Sequence, residues 1–178
     1  MKKTCLRCKK NRDLKFFSYK NNKITKVCID CKLKKIRTEK KESISALKKK
    51  AWKSFSDYIR TRDSINSTGT TGYCVCVTCN QRVEYKNIQA GHVISGRTNA
   101  ILFNEQLVNG QCQTCNMFRG GEYTKYALWF IDRYGKEALE QAELNKQTIT
   151  KITKEEYKQI TEEYINKLKI LELYQLKK

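Results

Sequence analysis

Eight of the nine cysteines fall into four C-x-x-C pairs: Cys5/Cys8, Cys28/Cys31, Cys76/Cys79 and Cys112/Cys115. Two thiolates separated by two residues can grip one tetrahedral ion, and two such knuckles close a four-cysteine structural zinc site. Chain order groups Cys5, Cys8, Cys28 and Cys31 in one site, and Cys76, Cys79, Cys112 and Cys115 in a second. A redox C-x-x-C normally occurs once, so fourfold repetition points to metal. Cys74 is left over, either as a small buried residue or as a spectator beside the second site. His92 is the single histidine. A lone histidine is usually structural, but this one lies between the two knuckles of the second site, in QAGHVISGRTN, and Asn116 directly follows Cys115. An imidazole is the side chain poised to take a proton from water near neutral pH. An amide oxygen is a hard ligand suited to Mg²⁺ or Mn²⁺.

The elements that must position these groups can be sketched from the pattern. Residues 1–31 read as a zinc ribbon, with Phe16, Phe17 and Tyr19 between its knuckles; these rings either stack on bases or fill the small core beside the metal. Residues 32–62 read as one long helix or two, solvated through Lys53 and amphipathic from Trp52, where Trp52, Phe55, Tyr58 and Ile59 recur at helical spacing. Small polar residues at 64–73 predict a loop. Val75, Val77, Val83 and Tyr85 predict a hairpin through the third knuckle. Residues 123–144 read as helical, with Tyr126, Trp129, Phe130 and Tyr134 on one face and a break at Gly135. Thr153 and Glu156 make a capping-box pattern for a final helix to about Leu176. Its stripe of Tyr157, Ile160, Tyr164, Leu168 and Leu171 serves equally for core packing or for a dimer seam.

The chain of 178 residues carries a formal charge of +19, and the charge is uneven. Residues 1–62 hold 22 Lys and Arg against 5 Asp and Glu. A basic half on a near-neutral half is the footprint of a polyanion partner, nucleic acid first. No long apolar run or lipidation motif supports a membrane partner. The basic start MKKTCLRCKK is followed by no apolar stretch, so neither a signal peptide nor a transmembrane helix is expected. A reducing cytoplasm is the expected location, where clustered cysteines bind metal rather than pair as disulfides.

The layout of a histidine after one knuckle and an asparagine directly after the next resembles zinc-stapled HNH (ββα-metal) nucleases. In that layout the zinc ties a hairpin bearing the histidine to a helix bearing the metal ligand. The resemblance implies His92 as general base and Asn116 as ligand to a catalytic Mg²⁺ or Mn²⁺. The run AGH…FNEQLVNGQCQTCN…Y…GKEAL, after C-V-T-C, resembles the phage lambda NinG/Rap recombination family. The zinc ribbon, the basic helix, the RTRDS stretch and the final EEY…KL helix fit the same family, from about Cys5 to Leu173. The cysteine, asparagine and histidine layout is also similar to phage endonuclease VII. The resemblance implies a structure-specific endonuclease acting on Holliday junctions, D-loops and related branched DNA. It also implies the host cytoplasm as its location. The sequence departs from these patterns at Gly91, where many HNH enzymes carry Asp, at Gln89, where NinG-like sequences carry an acid, and at Leu107, where the family carries Asn. Asn104 or Asn109 can tether the His92 loop instead, and Glu105 and then Glu122 are the nearest downstream acids.

These readings combine into a zinc-stabilised α+β protein. It has an N-terminal four-cysteine zinc ribbon (1–35), a basic helical linker (36–63), and a ββα-metal (HNH) core with C-terminal helices (64–178). Two structural zinc ions and a catalytic Mg²⁺ or Mn²⁺ are expected. Branched DNA is the expected partner, with a homodimer possible and no membrane. Arg97, Arg119 and Lys125 are candidate phosphate clamps, and Lys48, Lys49, Lys50 and Lys53 form a strip for backbone contacts. Asn104 and Glu105 are candidate supports for the His92 loop or the metal. One alternative is a non-catalytic zinc protein that binds branched or single-stranded DNA through a decayed HNH site. Another is a zinc-ribbon regulator acting through protein contacts, whose DNA affinity would depend little on salt.

Overall fold

The computed structural model describes residues 1–38 and 42–175. Residues 39–41 of the expected basic linker and the expected helix end at Leu176 lie outside the described residues. The chain divides into two compact units, Met1–Ser43 and Ile44–Lys178. The second half of the segment expected as a linker is therefore part of the larger unit.

The first unit begins with an antiparallel pair, β1 (Lys2–Thr4) and β2 (Asn11–Asp13). A 3₁₀ turn, Leu14–Phe16, leads to a second short pair, β3 (Tyr19–Lys20) and β4 (Lys23–Ile24), and then to α1 (Ile29–Thr38). Its core is small: Phe17 packs with the buried sulfurs of Cys5, Cys28 and Cys31. So few apolar residues cannot hold a fold alone, and a metal staple is the usual remedy.

The second unit is organised around α2 (Ile44–Thr68), whose residues Leu47, Ala51, Phe55 and Ile59 are buried at helical spacing. The helix runs through Ser64–Thr68, which the polar composition predicted as loop. Ser64 is fully buried, while the hydroxyls of Ser67 and Thr68 bond back to the carbonyls of Asp63 and Ser64. These residues keep helical geometry because they cap and pack, so the loop begins at Gly69. Two antiparallel pairs follow: β5 (Tyr73–Val75) with β6 (Arg82–Glu84), and β7 (Ile88–His92) with β8 (Val108–Cys112). A single π turn, Thr114–Phe118, continues β8 into α3 (Tyr123–Tyr134). Gly135, at φ 87°, breaks this from α4 (Lys136–Lys146). The expected capping box starts α5 (Lys154–Gln175): Glu156 N–H donates to Thr153 Oγ1 at 3.2 Å, and Thr153 N–H donates to Glu156 Oε2 at 2.6 Å.

Three apolar layers hold this unit. Tyr157, Ile160 and Tyr164 of α5 pack on Leu47, Ala51 and Phe55 of α2, so this part of the expected stripe serves internal packing. Ala90 and Val108 place the β7–β8 pair against the same helix. Val93, Ile94, Ile101 and Leu107 meet Tyr126, Phe130 and Ala142 from α3 and α4. Leu107, at the family's asparagine position, is thus a core residue.

The two units open on the same local structure. Strand β1, Cys5, Cys8, β2 and the turn Leu14–Phe16 correspond at constant spacing to β5, Cys76, Cys79, β6 and the turn Tyr85–Asn87. Lys9 and Asn80 both take positive φ, 59° and 55°. Cys5 N–H donates to Lys10 O at 3.0 Å, and Cys76 N–H to Gln81 O at 2.9 Å. Leu14 N–H reaches Met1 O, and Tyr85 N–H reaches Gly72 O. Phe17 and Ile88, the buried residues after each turn, end the correspondence. Beyond them one copy makes a small hairpin and the other makes the long β7–β8 pair.

Candidate active site and metal centres

Each set of four sulfurs converges as the spacing predicts. The Sγ atoms of Cys5, Cys8, Cys28 and Cys31 lie within 4.8 Å of one another, and so do those of Cys76, Cys79, Cys112 and Cys115. Backbone donors already face the sulfurs: Cys28 N–H to Cys5 Sγ at 3.3 Å, Cys112 N–H to Cys76 Sγ at 3.2 Å, and Cys115 N–H to Cys112 Sγ at 3.4 Å. The N–H groups of Cys28 and Cys8 bring the Cys5 thiol down to about 6. At Cys76 burial opposes ionisation, but the Cys112 N–H and the Thr78 hydroxyl outweigh it and hold the thiol at about 7. Burial and the adjoining thiols push Cys112 up to about 12. A sulfur set in which some members ionise readily and the rest need a cation fits tetrahedral zinc. Cys74 is fully buried beside the second set, and Cys74 Sγ meets Ser67 Oγ at 3.7 Å, outside the ligand group.

The second centre staples the β7–β8 pair to the π turn, because Cys112 ends β8 and Cys115 lies in the turn. His92 closes β7 opposite Val108. Its ring is 7 % exposed, and its Nε2 lies 3.3 Å from Leu102 O. A carbonyl oxygen only accepts, so Nε2 carries the proton and Nδ1 keeps its lone pair. Nδ1 is buried with no hydrogen-bond partner. Burial, with a smaller push from Arg97, lowers the imidazole to about 4, so it is neutral at physiological pH. Trp52 stacks on the ring, with centroids 5.2 Å apart, and the Arg97 guanidinium lies 5.2 Å from the Trp52 ring on its own. The strand is fixed from behind by Tyr126, whose hydroxyl donates to Gly91 O at 3.0 Å. Gly91 is dictated by packing. A Cβ there would lie 2.3 Å from Gln111 Oε1 and 3.0 Å from Gln111 Cβ.

Beside this stack runs a groove of about 210 Å³ lined by Trp52, Ser56, Arg60, Gln89, Arg97 and Asn116, together with Ile88 and Ala90. Asn116 Nδ2 donates to Gln89 Oε1 at 2.6 Å, leaving the Asn116 amide oxygen for another partner. Arg60 is held by Tyr85, with its guanidinium 4.3 Å from the ring and bonded to the Tyr85 carbonyl, and it pairs with Asp57 Oδ1 at 3.5 Å outside the lining. The lining contains two guanidiniums, two amides and a hydroxyl, and no carboxylate. That set suits an anion such as a phosphate. It suits Mg²⁺ or Mn²⁺ only as an ion shared with substrate oxygens and water, which Mg²⁺ accepts readily.

The other expected site residues are placed as follows. Asn104 Oδ1 accepts the N–H groups of Gln106 and Leu107, and Leu107 O accepts the N–H of Val93; Asn104 thus shapes the loop facing the residue after His92. Asn109 accepts from Arg62 and donates to Gln106 O. The Glu105 carboxylate is held by Tyr58, Tyr164 and Lys167. Arg119 and Lys125 both pair with Glu122. Lys48 bonds Asn99, and Lys53 pairs with Asp57, while Lys49 and Lys50 are exposed. Sequence reasoning named Gln89 only as the position of a missing acid, and gave no role to Arg60 or to the Trp52 cover. Trp52 reads as part of a helical apolar face, and only the long-range packing turns it onto His92.

A hairpin tied through four cysteines to a turn carrying Asn116, preceded by a second four-cysteine unit, defines an α+β protein with two sites that could hold structural zinc and a polar groove. The family model described as bacteriophage lambda NinG protein matches residues 1–173, and the chain belongs to that family. The protein ninG of Escherichia phage lambda is 35% identical over 100 residues, covering 54% of this chain and 47% of that protein. The match thus spans about half the length of this curated relative. No solved structure matches the chain. Among the described residues, no helix is long and apolar enough to cross a membrane.

Proposed function

We propose that the chain is a structure-specific DNA endonuclease of the ββα-metal type, cutting branched recombination intermediates such as Holliday junctions and D-loops. One observation carries this reading. The zinc-stapled β7–β8 pair holds an uncharged imidazole with an unused Nδ1 lone pair, and the same pair forms an arginine-lined groove with Asn116. Arg60 and Arg97 bind the backbone phosphate. His92 Nδ1 takes the proton of the attacking water once Trp52 swings aside. Asn116 would hold a Mg²⁺ or Mn²⁺ ion through its amide oxygen. Such an ion neutralises developing charge and stabilises the leaving oxygen. The basic strip Lys48–Lys53 and the first zinc unit grip backbone without reading sequence.

The test is cleavage of a labelled four-way junction and a matched linear duplex, with Mg²⁺ or Mn²⁺, beside a His92→Ala control. Metal-dependent junction cutting that vanishes in the variant supports the assignment. The covered imidazole and the carboxylate-free groove favour a second reading, a branched- or single-stranded-DNA-binding zinc protein. Salt-sensitive junction binding without cutting by either protein selects that reading.

A further inference from the structure

We propose that Met117 and Phe118 form a wedge that stacks on an unstacked base face at a DNA branch point beside the groove. This rests on the proposed function insofar as it places branched DNA on this face. Phe118 is 75 % exposed and Met117 58 % exposed, side by side at the tip of the π turn. The backbone beneath them is closed by hydrogen bonds: Arg119 N–H donates to Thr114 O, and Gly121 N–H donates to Cys115 O, both at 2.9 Å. Cys115 is a ligand of the second zinc set, so the tip stands on the metal staple. Gly120 and Gly121, at φ 61° and 93°, turn the chain back from the tip towards α3. Gly121 O is held in turn by the buried Gln111 side chain at 2.6 Å.

The wedge is also wired to the groove. Gln89 Nε2 donates to Met117 Sδ at 3.1 Å, and Gln89 Oε1 takes the Asn116 amide. A ligand seated at Asn116 therefore meets Met117 and then Phe118. Charge selects its class. Arg60 and Arg97 line the groove and Arg119 follows the wedge, which fits a polyanion. An apolar blade on a cationic face suits a nucleobase with a free face; proteins that kink DNA insert such side chains between base steps. A continuous duplex has every base stacked and must first be unstacked, at a cost in free energy, to admit the blade. A junction has unstacked faces at its branch, so the wedge converts branch geometry into affinity.

The experiment compares wild type, Phe118→Ala and Phe118→Trp on a four-way junction and on a matched duplex. 2-Aminopurine replaces one branch-point base, and no Mg²⁺ or Mn²⁺ is added. Wild type is expected to change the 2-aminopurine emission on the junction. Phe118→Ala should lose that change and bind the junction about tenfold more weakly, with duplex affinity unaltered, and Phe118→Trp should restore both. Phe118 is exposed, so zinc content and helicity of the variants should match wild type. Equal weakening on junction and duplex, or no weakening, overturns the wedge. So does an unchanged emission accompanied by conversion of a dimer to a monomer in Phe118→Ala, which makes the patch a self-association surface. Cutting assays fail or succeed separately. Branch-specific stacking without cleavage keeps the wedge and removes the nuclease, and cleavage without Phe118 dependence does the reverse.

Discussion

The indole of Trp52 lies on the imidazole of His92, with ring centroids 5.2 Å apart and planes 17° from parallel. This contact is part of what buries the one histidine. Burial is the largest cause of its lowered value, about 4, so folding favours the neutral ring. The unfolded chain binds the proton near pH 6.5. Stability from this group is therefore present above about pH 6.5 and declines as pH falls towards 4, by about 3 kcal/mol at most. Because there is a single histidine, its ring protons can be followed by NMR without ambiguity. The expected midpoint is near 4 in wild type and closer to the ordinary histidine value in Trp52→Ala. A wild-type midpoint above 6 would mean that the indole does not seal the site.

Removing the metal should unfold the units that the sulfurs organise. Purified protein is expected to hold about two zinc ions per chain, and Cys79→Ser should abolish cooperative folding of the larger unit, since a structural zinc supplies folding free energy outright. Dialysis against a chelator, followed by circular dichroism and metal analysis, checks this. Native helicity at zero zinc would overturn both centres.

The sequence carried the two four-cysteine clusters, the helix break at Gly135 and the capping box at Thr153, because each is decided by a few neighbouring residues. The C-x-x-C pairs need only local spacing, and Thr153 needs only Glu156. Three features were hidden for physical reasons. Helix α2 runs through Ser64–Thr68, whose polar side chains satisfy helix carbonyls and pack on the strands. The Trp52 cover depends on α2 docking against β7, a long-range event. The correspondence of the two zinc openings is conformational, and few residues match. Its trace in the sequence is the run of acid, large residue and lysine, Asp13-Leu14-Lys15 and Glu84-Tyr85-Lys86, in which the lysine is the only identity.

Gly91 explains one departure from the HNH pattern and gives a sharp test. Gln111 is fully buried, and its Nε2 holds Gly121 O, so its oxygen 2.3 Å from a new Cβ cannot move aside freely. Gly91→Ala should destabilise by about 1–3 kcal/mol, as overpacking does, and Gly91→Asp by more. In the Gly91→Ala/Gln111→Ala double variant the combined loss should be smaller than the two single losses together, because the 2.3 Å clash with the amide is removed and only the tight 3.0 Å approach of the Cβ remains. Urea titrations of the four proteins decide it. Strict additivity would show that the pair does not touch.

Glu105 was a candidate metal ligand, and its surroundings give it different work. Burial would raise its carboxyl, but Lys167 and the hydroxyls of Tyr58 and Tyr164 outweigh that and hold it below the usual range. Lys167 Nζ lies 2.7 Å away, and Tyr58 and Tyr164 donate at 3.1 and 3.2 Å, so the carboxylate ties the 104–107 loop to α2 and α5. A depressed carboxyl contributes stability above its unfolded value, and that contribution is lost as pH falls through the lower folded value. Glu105→Ala should cost about 2 kcal/mol at pH 7, mainly by leaving two part-buried tyrosine hydroxyls without an acceptor. Lys167→Ala should cost less than about 1 kcal/mol, since that pair is partly solvated. The stability difference between wild type and Glu105→Gln should shrink from pH 7 to pH 3. Cutting by Glu105→Gln at saturating Mn²⁺ should stay within about threefold of wild type. A large loss of cutting with unchanged stability would return Glu105 to the metal site.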